Sequence, residues 1–177
     1  MKVEVKVNGR DCVWDVDPGA SLLDVLRDEG FVSVKRGCEE GACGACTVLL
    51  DGRRRNSCLL LAGQVHKRTL TTVEGLGTTQ HPHPIQKAFV ETGAVQCGFC
   101  TPGMILATKE LLDRHPDPSD AQIKAALDGN LCRCTGYVKI LDAVRLAATM
   151  LADEPSGKDK KKSAQKKKRA KRSGESR

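Results

Sequence analysis

Aromatic residues are scarce in this sequence. They make up 3% of 177 residues, with one tryptophan and one tyrosine. Large ring side chains therefore cannot supply most of a hydrophobic core. Small cores of this kind are often reinforced by a bound metal or cluster, so the composition directs attention to residues that bind metals.

The sequence also lacks an apolar run long enough to cross a bilayer. Its first residues, MKVEVKVNGR, alternate in character and contain no apolar segment of a secretory signal peptide. These absences predict a soluble, cytoplasmic protein with no membrane contact. In a reducing cytosol, closely spaced cysteines are more often metal ligands than disulfides.

A net positive charge is absent from residues 1–154, although the whole chain carries a net charge of +7. Residues 155–177 contain eleven Lys or Arg and two Asp or Glu, a net +9, which leaves −2 for residues 1–154. This low-complexity segment predicts a disordered basic tail. A solvated extension and docking to an acidic partner both remain open. The segment does not resemble a nucleic-acid-binding one, because no aromatic residues alternate with its charges.

The sequence has no G-x-G-x-x-G fingerprint for a dinucleotide, since Gly75-x-Gly77 lacks the third glycine and the strand–turn–helix context. We expect no substrate site and no catalytic residue in this chain.

The first half of the sequence favours strands. Residues 2–7 alternate strictly, and Asn8-Gly9 predicts a hairpin to a strand at 12–16. Ser21 is placed to cap a helix that ends near Gly30. Further strands are predicted at 46–50, around 56–61 and at 69–73.

The second half, after a linker from Gly75 to Pro84, has helical periodicity. Apolar residues from Ile85 predict one helix, and Thr101-Pro102 begins a second. Ser119 and Gln122 have the spacing of a capping box for a third helix. A stripe from Tyr137 to Leu151 predicts the fourth, and four such helices can form a bundle.

The sequence is rich in cysteine. It contains nine cysteines, and eight of them fall into two groups of four. The first group has the C-x4-C-x2-C…C spacing of plant-type ferredoxins, with glycines interleaved that allow the backbone to wrap a cluster. A zinc ribbon would instead use two C-x2-4-C pairs. We therefore predict a [2Fe–2S] cluster on the first group: Cys38, Cys43, Cys46 and Cys58.

The second group pairs C-x2-C with a C-x-C some thirty residues later. Both pairs precede predicted helices, whose amide-rich N-termini favour an anion such as a thiolate-ligated cluster. Taken alone, this pattern also suits a zinc site. The ferredoxin spacing of the first cysteine group favours a second [2Fe–2S] cluster instead. The ligands would be Cys97, Cys100, Cys132 and Cys134. The ninth cysteine, Cys12, is interpreted as a small buried hydrophobe.

Three motifs resemble the small iron–sulfur subunit of the molybdenum hydroxylases, the family of xanthine dehydrogenase and aldehyde oxidase. They are GCEEGACGACTVL at 37–49, QCGFCTPGM at 96–104 and GNLCRCTGY at 129–137. The resemblance implies an α+β chain with two cluster domains. A plant-type ferredoxin domain of β-grasp fold would span residues 1–76, and a four-helix-bundle [2Fe–2S] domain residues 77–154.

The resemblance also implies partners and a direction of electron flow. Electrons would pass from a molybdopterin-binding large subunit through the second cluster and then the first, toward an FAD-binding medium subunit. Gln96 and Cys134 would contact the molybdopterin.

The same motifs leave alternatives open. Xanthine dehydrogenase-type members are the nearest resemblance. Small subunits of carbon monoxide dehydrogenase, aldehyde oxidoreductase, nicotinate dehydrogenase and 4-hydroxybenzoyl-CoA reductase share the architecture. A zinc-stabilised nucleic-acid-binding or interaction module is the alternative from another class.

Overall fold

The computed structural model describes residues 1–153, so the predicted basic tail at 155–177 lies outside the described residues. This part of the chain mixes strands and helices. The strands are β1 (Lys2–Val7), β2 (Arg10–Asp15), β3 (Thr47–Leu50), β4 (Arg53–Asn56) and β5 (Thr69–Thr71). The helices are α1 (Leu22–Asp28), α2 (Pro84–Glu91), α3 (Thr101–Arg114), α4 (Asp120–Leu127) and α5 (Val138–Asp153).

The chain opens with the predicted hairpin. Asn8 and Gly9 both have positive φ, at 51° and 81°, as a two-residue hairpin turn requires. β1 and β2 pair antiparallel, with Val3 opposite Trp14. The alternating valines of β1 are buried, so the charged residues between them face outward. Alternation in the sequence therefore identified this strand correctly.

The five strands form one sheet in the order β2-β1-β5-β3-β4. β5 runs parallel to β1, whereas the other neighbouring pairs are antiparallel. α1 contributes Leu22, Leu23 and Leu26 to the core of this half. The predicted cap is present, because the side chain of Ser21 accepts a hydrogen bond from the backbone N–H of Asp24.

The predicted strand around 56–61 is wrong. β4 ends at Asn56, and Ser57–Leu59 form a single 3₁₀ turn. Ser57 is fully buried and donates from its backbone N–H and its hydroxyl to the carbonyl of Cys46, at 3.2 and 2.9 Å. These bonds turn the chain at Cys58. The apolar residues that suggested a strand, Leu59 and Leu61, are largely exposed.

The helical half has the four predicted helices, α2 to α5. Ser119 and Gln122 form the predicted capping box at the start of α4. The start of α2 carries a cap that sequence reasoning missed, since the side chain of His83 accepts from the N–H of Ile85. Buried residues from all four helices form a second core, which includes Ile85, Phe89, Met104, Ile123, Ile140 and Val144. No helix within residues 1–153 combines the length and apolar character needed to span a membrane.

The two halves meet where α3 packs against β3. All four residues of β3 are buried. Val48 and Leu50 belong to the core beneath α1, whereas Thr47 and Leu49 point to the opposite face. A strand that is buried on both faces has a nearly continuous apolar sequence rather than an alternating one. The contact places α3 next to the strand that follows Cys46.

A charged network also joins the two halves. Glu110 of α3 has a side chain only 11% exposed and lies within 3.4–3.7 Å of the guanidinium groups of Arg53, Arg54 and Arg114. Arg54 also donates to the backbone carbonyl of Ala126 near the end of α4. β4, α3 and α4 are therefore held together by one arginine.

Candidate metal centres

The first group of cysteines lies on the loop between α1 and β3, completed by Cys58 from the 3₁₀ turn. The backbone N–H groups of Glu40 and Cys43 donate to the sulfur of Cys38, at 3.4 and 3.3 Å. Glu39, Gly41 and Gly44 adopt positive φ, which turns successive amides toward the inside of the loop. Such a concave set of N–H groups suits an anionic, thiolate-ligated cluster.

Gly37 serves this loop through its lack of a side chain. A Cβ at this position would lie 2.7 Å from the sulfur of Cys43 and 3.2 Å from the Cβ of Ala45. Unlike Gly41 and Gly44, Gly37 does not have a positive φ. All three glycines predicted to wrap a cluster therefore permit close approach, and Gly41 and Gly44 also permit left-handed backbone.

Arg36 anchors the start of the loop, a role that no local sequence pattern predicts. Its guanidinium donates to the carboxylate of Glu39 at 2.6 Å and also pairs with Asp24 of α1. Hydrogen bonds from Ser21 and Arg36 lower the pKa of Asp24, so this carboxylate stays charged. The loop is thus anchored to the helix that precedes it.

The second group brings together two segments that each precede a helix, as predicted. Cys100 is the N-cap residue of α3, and Cys97 lies three residues earlier. Cys132 and Cys134 lie just before α5. The sulfurs of Cys97 and Cys134 are 3.6 Å apart. These two thiols are exposed, whereas Cys100 and Cys132 are partly buried.

Hydrogen bonds between side chains link the eight thiols in four pairs, and charge interactions connect the two pairs of each group. The four pairs are Cys38 with Cys43, Cys46 with Cys58, Cys97 with Cys134, and Cys100 with Cys132. Two thiolates on one tetrahedral metal at about 2.3 Å lie about 3.8 Å apart, close to the one separation given above. Two pairs per group match a cluster of two irons with four cysteine ligands. Within residues 1–153, no three His, Cys, Asp or Glu side chains form a group that could hold a single metal ion.

Each group contains thiols whose pKa is lowered and thiols whose pKa is raised. Hydrogen bonds from the amides of Glu40 and Cys43 lower the pKa of Cys38 to about 7. Burial raises the pKa of Cys58 to about 11 and that of Cys100 to about 12. Burial also acts against ionisation of Cys132, but hydrogen bonds, first among them from the Thr135 hydroxyl, lower its pKa to about 7. A hydrogen bond from the amide of Phe99 also lowers the pKa of Cys97. Each group therefore offers at least one thiol that ionises readily, and the thiolate is the form that binds metal.

A buried junction connects the two groups. The backbone N–H of Leu131 donates to the carbonyl of Cys43 at 2.9 Å. Asn130, only 4% exposed, donates from Nδ2 to the carbonyl of Gly44 at 3.0 Å and to the hydroxyl of Thr47 at 3.2 Å. The residues before Cys132 are therefore hydrogen-bonded to the residues around Cys43.

Glycine makes this junction possible. A Cβ on Gly44 would lie 2.3 Å from the carbonyl oxygen of Gly129, and one on Gly103 would lie 2.6 Å from the carbonyl oxygen of Gly44. Sequence reasoning missed Asn130 and Gly103, although both lie inside the motifs that carried the family resemblance. Gln96, predicted to contact a molybdopterin, is exposed beside the exposed Cys97.

Two protein-family models match the chain. The model described as "2Fe-2S iron-sulfur cluster binding domain" covers residues 5–71, and the one described as "[2Fe-2S] binding domain" covers residues 72–145. The chain therefore has two [2Fe–2S]-binding domains, as the two cysteine groups predicted.

Full-length relatives agree with these matches. The chain is 49% identical to the nicotinate dehydrogenase small FeS subunit of Eubacterium barkeri over 86% of this chain and 98% of the relative. It is 44% identical to the xanthine dehydrogenase iron-sulfur-binding subunit of Escherichia coli O157:H7 over 81% of this chain and 92% of the relative. These relatives do not single out xanthine dehydrogenase.

A solved structure supports the same family. Quinoline 2-oxidoreductase from Pseudomonas putida 86 superposes with a TM-score of 0.82 at 40% identity, covering 88% of this chain and 98% of that chain. None of the relatives named here supports the zinc-stabilised module. The chain belongs to the small [2Fe–2S] electron-transfer subunits of the molybdenum hydroxylases, which are parts of multi-subunit oxidoreductases.

Proposed function

We propose that the first thiol group (Cys38, Cys43, Cys46, Cys58) and the second (Cys97, Cys100, Cys132, Cys134) each ligate one [2Fe–2S] cluster, and that the chain conducts electrons between them. A bound [2Fe–2S] cluster takes up and releases one electron at a time. The paired thiols, the amides aimed at Cys38 and the helix start at Cys100 support this ligand assignment.

One observation carries the conduction role, the hydrogen bond from the N–H of Leu131 to the carbonyl of Cys43. Leu131 is bonded directly to Cys132, so covalent bonds and a single hydrogen bond connect a ligand of one group to a ligand of the other. Electron tunnelling decays less steeply through bonds than across empty space. The junction at Asn130 and Gly44 holds this route in place.

The two groups are proposed to lie in separate domains. A ferredoxin domain of β-grasp fold at residues 1–76 is supported by the sheet with α1 across it. A four-helix domain at 77–154 is supported by the second core shared by α2 to α5. The segment between β5 and α2 links them.

The exposed side of the second group supports docking of a larger partner. Cys97 and Cys134 are exposed, and so are the apolar residues Phe99, Leu131 and Val138, at 47%, 59% and 66%. Exposed apolar side chains around a redox site favour burial by another protein. We propose that a molybdopterin-binding subunit covers this side, with Gln96 and Cys134 against the pterin. An FAD-binding subunit would receive electrons from the first group, in a complex located in the cytoplasm.

We propose that the complex hydroxylates a substrate with a nitrogen-containing aromatic ring. The reaction would take place on the partner subunit, with water as the oxygen source. Nicotinate dehydrogenase, nicotine 6-hydroxylase, xanthine dehydrogenase and quinoline 2-oxidoreductase are all relatives at 40–49% identity. Aldehyde oxidoreductases at 40–44% keep an aldehyde substrate as the second candidate.

Purification from the native host tests the proposal. We expect a coloured complex with about four iron atoms per copy of this chain, copurifying with a molybdopterin-containing and a flavin-containing subunit. Pyridines, purines and aldehydes should then be compared as reductants of its clusters. A colourless, iron-free chain without partners would contradict the proposal.

A further inference from the structure

A closed set of hydrogen bonds lies between Cys132 and α5. The hydroxyl of Thr135 donates to the sulfur of Cys132 at 3.2 Å, and the backbone N–H of Tyr137 donates to that same hydroxyl oxygen at 3.2 Å. The phenol oxygen of Tyr137 accepts from the backbone N–H of Cys132 at 2.8 Å. Three hydrogen bonds thus connect Cys132, Thr135 and Tyr137.

The direction of the Thr135 hydroxyl follows from its hydrogen-bonding capacity. A hydroxyl has one hydrogen to donate and two lone pairs that accept. The N–H of Tyr137 occupies one lone pair, and a ligating thiolate has no hydrogen to donate to the other, so the hydroxyl hydrogen is directed to the sulfur of Cys132. The hydroxyl is therefore a donor oriented toward a proposed cluster ligand.

Tyr137 adopts an unusual backbone to make these contacts. Its φ is 70°, a conformation uncommon for a bulky residue. Such conformations persist where the surrounding structure holds them, and the Tyr137 side chain packs against the helical core. This turn directs the amide of Tyr137 to Thr135 and its phenol back to Cys132.

The first group has no equivalent. Cys38 receives hydrogen bonds from the backbone amides of Glu40 and Cys43, which remain when either side chain is replaced by that of any residue other than proline. Within residues 1–153, Thr135 is the one side-chain hydroxyl that donates to any of the eight thiols. A hydrogen bond to a ligand sulfur stabilises the reduced, more negative cluster and so raises its reduction potential.

We propose that Thr135, held in place by Tyr137, raises the reduction potential of the second cluster. This inference rests on the proposed ligation of that cluster by Cys132. Thr135 is a positioning residue that acts through the ligand sulfur. It would make the second cluster a better acceptor for the first electron that reaches the chain.

The test is an EPR-monitored redox titration of the cluster-loaded full chain and its Thr135→Val variant, which keeps the shape and removes the hydroxyl. At the wild-type midpoint of the second cluster, we expect its reduced-to-oxidised ratio to fall about tenfold, a shift of about 59 mV for one electron. The first cluster should keep its midpoint. Thr135→Ser retains the hydroxyl and should restore the wild-type value.

Thr149→Val is the matched control. It removes a hydroxyl that bonds only the carbonyl of Arg145 on α5, and it should leave both midpoints unchanged. If Thr135→Val kept both clusters and the midpoint of its second cluster did not shift, the role of Thr135 would be wrong and the proposed function would stand. An equal shift in Thr149→Val would have the same consequence. If Thr135→Val lost the second cluster, Thr135→Ala would replace it, and loss in both would assign a structural role instead. A wild-type chain without a second cluster would overturn the proposed function itself.

Discussion

The two thiol groups achieve similar sulfur arrangements in different ways. The first takes three of its four cysteines from one glycine-rich loop, where backbone amides donate to sulfur and left-handed residues turn the chain, and the fourth from the 3₁₀ turn at Cys58. The second joins residues as far apart as Cys97 and Cys134, 37 positions away, and relies on helix starts and on a side-chain hydroxyl. The first group thus depends on local backbone geometry, and the second on the packing of α3 against its neighbours.

Because the two groups depend on different parts of the fold, we expect the two sites to fail independently. A change confined to the loop would remove one cluster, whereas a change in the helical core would remove the other. The junction at Asn130 is where a single substitution should affect both. The following substitutions separate these cases.

Gly37→Ala should have the largest effect and should break the first site alone. Its Cβ would lie 2.7 Å from the sulfur of Cys43, closer than real contacts allow. We expect iron to fall from about four to about two atoms per chain, with loss of one of two reduced-cluster EPR signals. Gly63→Ala is the matched control, because its Cβ would meet only the flexible side chain of Met1. Full iron content in Gly37→Ala would contradict the close-approach account.

Asn130→Ala should weaken the connection between the sites. It removes a buried amide that donates to Gly44 and Thr47, so we expect the free energy of unfolding in urea to fall by about 1–3 kcal/mol. Magnetic coupling between the two reduced clusters should also decrease. Asn56→Ala removes a similar amide that donates only within the first half, to the carbonyl of Gly41. It should leave that coupling unchanged, and an equal loss in both variants would contradict a special role for the junction.

Glu110→Gln should have the smallest effect of the three. The substitution removes the charge that faces Arg53, Arg54 and Arg114. We expect the free energy of unfolding to fall by about 1–2 kcal/mol, between the values typical of exposed and of buried ion pairs. Both clusters should be retained. Asp113→Asn, which removes an exposed partner of Lys109, should change the unfolding midpoint far less.

Much of this architecture was predictable because local signals were consistent. Alternation identified β1, Asn8-Gly9 identified the hairpin, and the Ser119 capping box identified the start of α4. Cysteine spacing divided the thiols into the two groups that the structure brings together. For the hairpin turn and the capping box the relevant contacts lie within a few residues of the signal, whereas the thiols of the second group come together across 37 positions.

The features that sequence reasoning missed depend on residues far apart in the chain. The run at 56–61 has strand composition, but the contact between Ser57 and Cys46 imposes a turn. Asn130 matters because of Gly44, 86 positions away. No local pattern distinguishes such an asparagine, or a buried Glu110, from an exposed polar residue.

The most direct test of two independent clusters is EPR of the dithionite-reduced full chain beside its Cys43→Ala and Cys100→Ala variants. We predict two distinguishable signals in the wild type, and in each variant the loss of one signal with the other retained. Cys12→Ala, outside both groups, should keep both signals. If either Cys43→Ala or Cys100→Ala kept both signals, or if both variants lost the same one, the assignment of one cluster to each thiol group would be wrong.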